Sequence, residues 1–150
     1  MRAVIQRVSE ASVSIDHNIV AEIRLGLVIL LGIEQEDSIE DSIWLANKIA
    51  QLRIFSDSQK KMNNSILDVK GDIIVVSQFT LHAKTKKGNR PSYIRAANTD
   101  KANFLYKQFK NDLSNITSKE ILSGKFGADM KVTIINDGPV TIIIDTKDKQ

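Results

Sequence analysis

The chain has 150 residues, 42% of them hydrophobic and 26% charged, a length and balance that point to one soluble domain. It has no cysteine, which excludes disulfides, a thiol nucleophile and a thiolate metal site, and its two histidines, His17 and His82, are too few to suggest a zinc centre. The net charge is +3, the longest apolar run (Leu27 to Ile33) is too short to span a bilayer, and Met1 to Val8 lacks a signal-type apolar stretch, so the chain is expected in the cytoplasm.

Four strands are predicted in quick succession: Ala3 to Val8, Ala11 to Ile15, Ile19 to Arg24 and Leu27 to Ile33. The last is almost wholly apolar and is expected to be buried on both faces. Asp16-His17-Asn18 supplies the turn between the second and third, which leaves His17 without chemistry. Asp37 is expected to open a helix, with Glu40 at capping-box spacing and Ile39, Ile43, Ala46, Ile49 and Ala50 on its apolar face. Ser56 to Ser65 reads as a polar loop. Gly71-Asp72 punctuates before a strand running from Ile73 to Leu81. A second helix starts at Asn98-Thr99-Asp100 and carries Ala102, Leu105, Phe109 and Leu113 on one side. Finally, two runs rich in Ile, Val and Thr flank Asn136-Asp137-Gly138, which is strong hairpin chemistry. Seven or eight strands and two long helices predict an α/β fold in which mixed sheets pack against helices.

Three features exceed what packing needs. Pro139 has no N–H for a ladder and belongs at a strand start or on an edge. Gly138-Pro139 therefore reads as a rigid tip with outward carbonyls, or more plainly as a turn that contains proline. Next, the buried strand turns polar at Ser77-Gln78-Phe79-Thr80, where alternation places Ser77 and Phe79 on one side and Gln78, Thr80 and His82 on the other. Reach argues against a Thr80 nucleophile with His82 as base, because side chains at i and i+2 lie roughly 6.5–7 Å apart along a strand. No acid stands out in the sequence to orient the histidine, and cross-strand pairing of Thr and Gln needs no chemistry at all. Third, Ile73 to Thr99 holds no acidic residue but carries Lys84, Lys86, Lys87, Arg90 and Arg95, either a phosphate footprint or a solvated loop.

Met1-Arg-Ala-Val-Ile-Gln-Arg-Val8, Ser77-Gln-Phe-Thr-Leu81, Lys87-Gly88, Arg90-Pro-Ser92, Gly124-Lys-Phe-Gly-Ala-Asp-Met130 and Asn136-Asp-Gly-Pro-Val-Thr141 occur here in order. Together they resemble the D-aminoacyl-tRNA deacylases, the D-Tyr-tRNA deacylase family, from Met1 to about Asp145. The resemblance implies one domain over residues 1–145, a three-layer β/α/β fold and a homodimer; residues 146–150 read as an unstructured tail. It implies hydrolysis of the ester joining a D-amino acid, or glycine mischarged on tRNA-Ala, to the 3′-terminal adenosine of tRNA, with L-aminoacyl-tRNA rejected. It also implies that Gly138-Pro139 is a cis bond entering the partner subunit's pocket, opposite the Ser77–Thr80 strand there, and that Arg7 anchors it.

That chemistry accounts for the scarcity of catalytic side chains. An aminoacyl ester is already activated, and its own ribose 2′-hydroxyl lies beside the carbonyl. Backbone N–H groups near Gln78, Phe79 and Thr80 are expected to hold the oxyanion, each such donor supplying about 3–4 kcal/mol. No cofactor or metal is required. Lys84, Lys86, Lys87 and Arg90 are expected to meet tRNA phosphates, which position the substrate without reading its sequence. The rival reading is a non-catalytic nucleic-acid-binding protein that uses the Lys84–Arg95 segment. An aromatic content of 5% leaves it few stacking platforms.

Overall fold

A computed structural model describes residues 1–149. In chain order the elements are β1 (Arg2–Ile15), β2 (Asn18–Ile23), β3 (Gly26–Gly32), α1 (Ile39–Gln51), β4 (Phe55–Ser56), β5 (Met62–Asn64), α2 (Ile66–Val69), β6 (Asp72–Ser77), a 3-10 turn (Phe79–His82), α3 (Thr99–Thr117), β7 (Leu122–Ser123) and β8 (Lys131–Asp145). The mixed α/β single domain expected from the sequence is present, with α1 and α3 as the two long helices.

β1 runs unbroken where two strands were expected. β8 pairs antiparallel along nearly its whole length, and the register absorbs Ser9 as a bulge rather than a break. β2 and β3 lie end to end along the other edge of β1, pairing with Ala11–Ile15 and Arg2–Val8 respectively. β6 joins β3 in parallel, and β7 joins β6 in parallel. β4 and β5 form a separate two-stranded ribbon that begins at Phe55 and otherwise lies in the Ser56–Ser65 segment expected to be a loop.

Two cores explain why β3 and the Ile73–Val76 stretch of β6 are apolar. Leu27, Ile29, Leu31, Ile73 and Val75 face the first core, shared with α1 and α3. Val28, Ile74 and Val76 face the second, which is walled by strands and holds Val8, Val13 and Ile23. Each fully buried side chain of this size contributes about 1.5–3 kcal/mol, so both faces stabilise these strands.

The start of α1 corrects the sequence expectation. Ser38 is the cap, and its N–H donates to the Asp41 carboxylate at 2.9 Å. Asp37 lies one residue before the cap and is buried: it accepts from the Met1 amino nitrogen at 2.5 Å and from the Glu34 N–H at 2.7 Å. The buried face comprises Ser42, Leu45, Ala46, Ile49 and Ala50, while Ile39 and Ile43 stay exposed. Contact with α3 sets this face, marked by the Ser42 hydroxyl donating to Asp112 at 2.6 Å.

The segment expected to be an unstructured tail is held against the domain. The Thr146 N–H donates to the Met1 carbonyl at 2.8 Å, Lys147 pairs with Asp41 at 2.9 Å, and the Lys149 ammonium sits 4.5 Å from the Trp44 ring centroid. Gln150 lies outside the described residues. Among those residues no helix is long and apolar enough to cross a membrane.

Candidate active site

β6 ends at Ser77, four residues earlier than the alternating pattern suggests. Its partner strand stops at Gly32, so the last ladder bond is the Gln78 N–H donating to the Leu31 carbonyl at 2.8 Å. The chain then folds over Gly32. A side chain on Gly32 would meet the Gln78 carbonyl, the Leu81 Cβ and the His82 ring, each 3.0 Å from its Cβ. A bare glycine leaves room for the 3-10 turn. The alternation of Gln78, Thr80 and His82 along one strand face is therefore lost.

The turn changes which groups are available. The Gln78 N–H is spent on the sheet and is not an oxyanion donor. The N–H groups of Phe79 and Thr80, first in the turn, donate to no protein acceptor among the described residues. The Gln78 side-chain amide donates to the Thr80 hydroxyl at 2.5 Å. Ser77, Gln78 and Phe79 line a cavity of about 360 Å³, closed on other sides by Leu31, Ile33, Ala96, Ala97, Ala102 and Phe126. Sequence reasoning missed this wall. Alanines carry no chemical signature, and only Phe126 falls in a motif quoted above.

His82 is buried, and its Nε2 has no hydrogen-bond partner, so it does not serve the Thr80 hydroxyl. An acid does stand beside it: Glu34 Oε2 lies 4.0 Å from His82 Nδ1 and 3.5 Å from Arg95 Nε. Glu34 comes from the loop after β3, far from His82 in the sequence.

Gly138-Pro139 is not the turn of a hairpin. Both halves of β8 pair with β1, with Val8 opposite Asn136 and Gln6 opposite Thr141. Asp137 to Val140 therefore stand out as an excursion opposite Arg7 alone. The local turn signal is overridden because β1 offers one continuous edge to both apolar runs. Arg7, itself buried, braces the excursion: its Nε donates to the Asp137 carbonyl at 3.0 Å and its Nη1 to the Ile54 carbonyl at 2.5 Å. Gly138 has φ +128°, and a Cβ there would lie 2.8 Å from Arg7 Nη2, so glycine is required on both counts. The Gly138-Pro139 bond is cis. Neither residue lines the cavity of its own chain.

Lys84, Lys86, Lys87 and Arg90 are all exposed on one loop beyond the turn. Paired backbone bonds between Lys84 and Ser92, at 2.8 and 3.0 Å, close the loop. The structure thus brings Ser77, Gln78 and Phe79 to a cavity, with Thr80 next to them in the turn and the cations on the loop that follows, and leaves Gly138-Pro139 outside the cavity lining.

A family model described as D-Tyr-tRNA(Tyr) deacylase matches residues 4–145. A D-aminoacyl-tRNA deacylase from Christiangramia forsetii is 60% identical over 150 residues, covering 100% of both chains. One from Bacteroides fragilis matches equally, 60% over 150 residues with 100% of both chains covered. A solved structure described as a c-Myc DNA unwinding element binding protein superposes with a TM-score of 0.91 at 40% identity, over 97% of this chain and 98% of the other.

Proposed function

The chain belongs to the D-Tyr-tRNA(Tyr) deacylase family, hydrolases acting on aminoacyl-tRNA, and from that premise we propose how it carries out D-aminoacyl-tRNA deacylation. The aminoacylated 3′ end enters the cavity beside Ser77, Gln78 and Phe79. The N–H groups of Phe79 and Thr80 receive the ester oxygen as it becomes an oxyanion, each worth about 3–4 kcal/mol. Their lack of any protein acceptor is the observation that carries this reading. The vicinal ribose 2′-hydroxyl assists the attack on the ester, and Thr80 holds position through its bond from Gln78 rather than acting as a nucleophile.

Gly138-Pro139 works in the cavity of a second copy of the chain. Support comes from the exposed excursion braced by Arg7, and from Ile135 and Ile143, exposed on β8 where a partner would cover them. The excursion's carbonyls accept hydrogen bonds from the substrate's α-ammonium group. With the ammonium and the ester carbonyl both placed, an L side chain runs into backbone while a D side chain points out of the cavity. Selection works by rejection, so glycine escapes it and glycyl-tRNA-Ala is also cleaved. Lys84, Lys86, Lys87 and Arg90 hold the tRNA backbone, and the work is done in the cytoplasm, where charged tRNA is found.

The test is deacylation of matched D- and L-aminoacyl-tRNA, together with a D-substrate whose terminal ribose is 2′-deoxy. The expected result is hydrolysis of the D form, sparing of the L form and a much slower 2′-deoxy reaction. Equal rates on D and L would remove the selection mechanism, and an undiminished 2′-deoxy rate would remove ribose assistance. Binding of tRNA without any hydrolysis would leave the rival, a nucleic-acid-binding protein acting through Lys84–Arg95.

A further inference from the structure

Two aromatic rings stand in water at the edge of the cavity. Phe79 is 56% exposed and Tyr93 37% exposed, and they meet edge to face with centroids 4.9 Å apart at 72°. Phe79 lines the cavity, whereas Tyr93 does not, so Tyr93 sits one ring further out. Its neighbour Ile94 is 79% exposed. The backbone here is braced on both sides: Ser92 is tied to Lys84, the Ala96 N–H donates to the Tyr93 carbonyl at 2.9 Å, and the Gln35 N–H donates to the Arg95 carbonyl at 3.1 Å. The braced backbone fixes where the ring emerges, and a tyrosine, with only two χ angles, has few rotamers to lose on contact with a ligand. Four cations share its loop, and Arg95 is drawn toward Glu34 at 3.5 Å.

We propose that Tyr93, backed by Phe79, is a stacking site for the base of the nucleotide that precedes the terminal adenosine in the single-stranded 3′ end of the substrate. The inference rests on the reading that the cavity takes the aminoacylated end. An aromatic face beside cations is how single strands are held without base-specific hydrogen bonds. Continuity gives the order along the strand: the terminal nucleoside in the cavity, the preceding base on Tyr93, the phosphates toward Lys84 and Arg90.

The test compares kcat/KM on whole D-aminoacyl-tRNA with kcat/KM on 3′-(D-aminoacyl)adenosine, which lacks the preceding nucleotide. In Tyr93→Ala the ratio of the first to the second falls about 5- to 150-fold. Tyr93→Phe restores the ratio and Tyr93→Leu does not. A ratio unchanged by Tyr93→Ala overturns the proposal, whether both rates fall together or neither does. Affinity for the trinucleotide CCA is measured in parallel, so stacking is decided even if neither ester is hydrolysed. The same fold loss in Tyr93→Ala supports the site, and equal affinity overturns it.

Discussion

Replacing Arg7 by lysine separates the fork of the guanidinium from its charge. The fork reaches the Asp137 and Ile54 carbonyls through different nitrogens, at 3.0 and 2.5 Å, from a residue only 8% exposed. Lysine keeps the charge, but its three N–H donors radiate from one nitrogen and cannot reproduce bonds that start from two separate nitrogens of the guanidinium. At least one charge-assisted bond is lost, about 1.5–3 kcal/mol. For a chain of this length each kcal/mol moves Tm by about 2–4 °C, so Arg7→Lys is expected to melt about 3–12 °C lower. Activity should suffer as well. The excursion from Asp137 to Val140 has no other partner on β1, and a displacement of about 1 Å in a positioning element costs on the order of a hundredfold in rate. Circular dichroism melts and deacylation kinetics at a temperature where both proteins are folded read the two effects apart. An Arg7→Lys protein with the melting point and kcat/KM of the wild type would show that charge alone holds the excursion, and the fork argument would fail.

Neutralising Lys84, Lys86, Lys87 and Arg90 together should weaken tRNA binding and flatten its logarithmic salt slope by about 0.7–1 per lost phosphate contact. Titrations across a salt series check this, and an unchanged slope would mark the loop as solvated surface. A further prediction concerns acid stability. Burial disfavours the ionised Asp41 carboxyl, but hydrogen bonds from Lys147, Thr146 and the Ser38 N–H outweigh it and hold the pKa at about 2. A depressed carboxyl stabilises the fold above its unfolded value near 4 and loses that contribution as pH falls through about 2. The wild type should therefore be more resistant to urea than Asp41→Asn at neutral pH and lose the difference between about pH 4 and pH 2. A difference that persists unchanged at pH 2 would mean that ionisation is not its source.

Much of the fold is legible because hydrophobic pattern reports burial directly. β3 and the Ile73–Val76 stretch of β6 are apolar since each separates two cores, and α3 keeps Leu105, Phe109 and Leu113 on one face. Boundaries fail where a distant residue decides them. Phe79 to His82 have strand-like composition, and only the end of β3 and the bare Gly32 beneath them make a turn possible. Asn136-Asp137-Gly138 carries a genuine reversal signal, yet the length of β1 keeps both flanking runs in line. Around the cavity, Ser77 and Gln78 announce themselves as polar residues on a buried strand. Ala96, Ala97 and Ala102 do not, because their contribution is absent bulk. The pairing of Glu34 with His82 depends on β3 and β6 lying side by side in parallel, a topology that no local pattern encodes.

The pairing of β1 with β8 also bears on how the protein is made. β1 is complete at Ile15, and its partner does not begin until Lys131. At roughly 5–20 residues per second, one edge of a long strand with an apolar face waits about 6–23 s for the chain that will cover it. An unpaired edge of that kind is a template for other strands. The sheet is finished by its most distant contact, which is a slow arrangement to reach from the unfolded chain. Weakening β8 should thus lower the yield of soluble protein during synthesis before it lowers the melting point of molecules that have already folded.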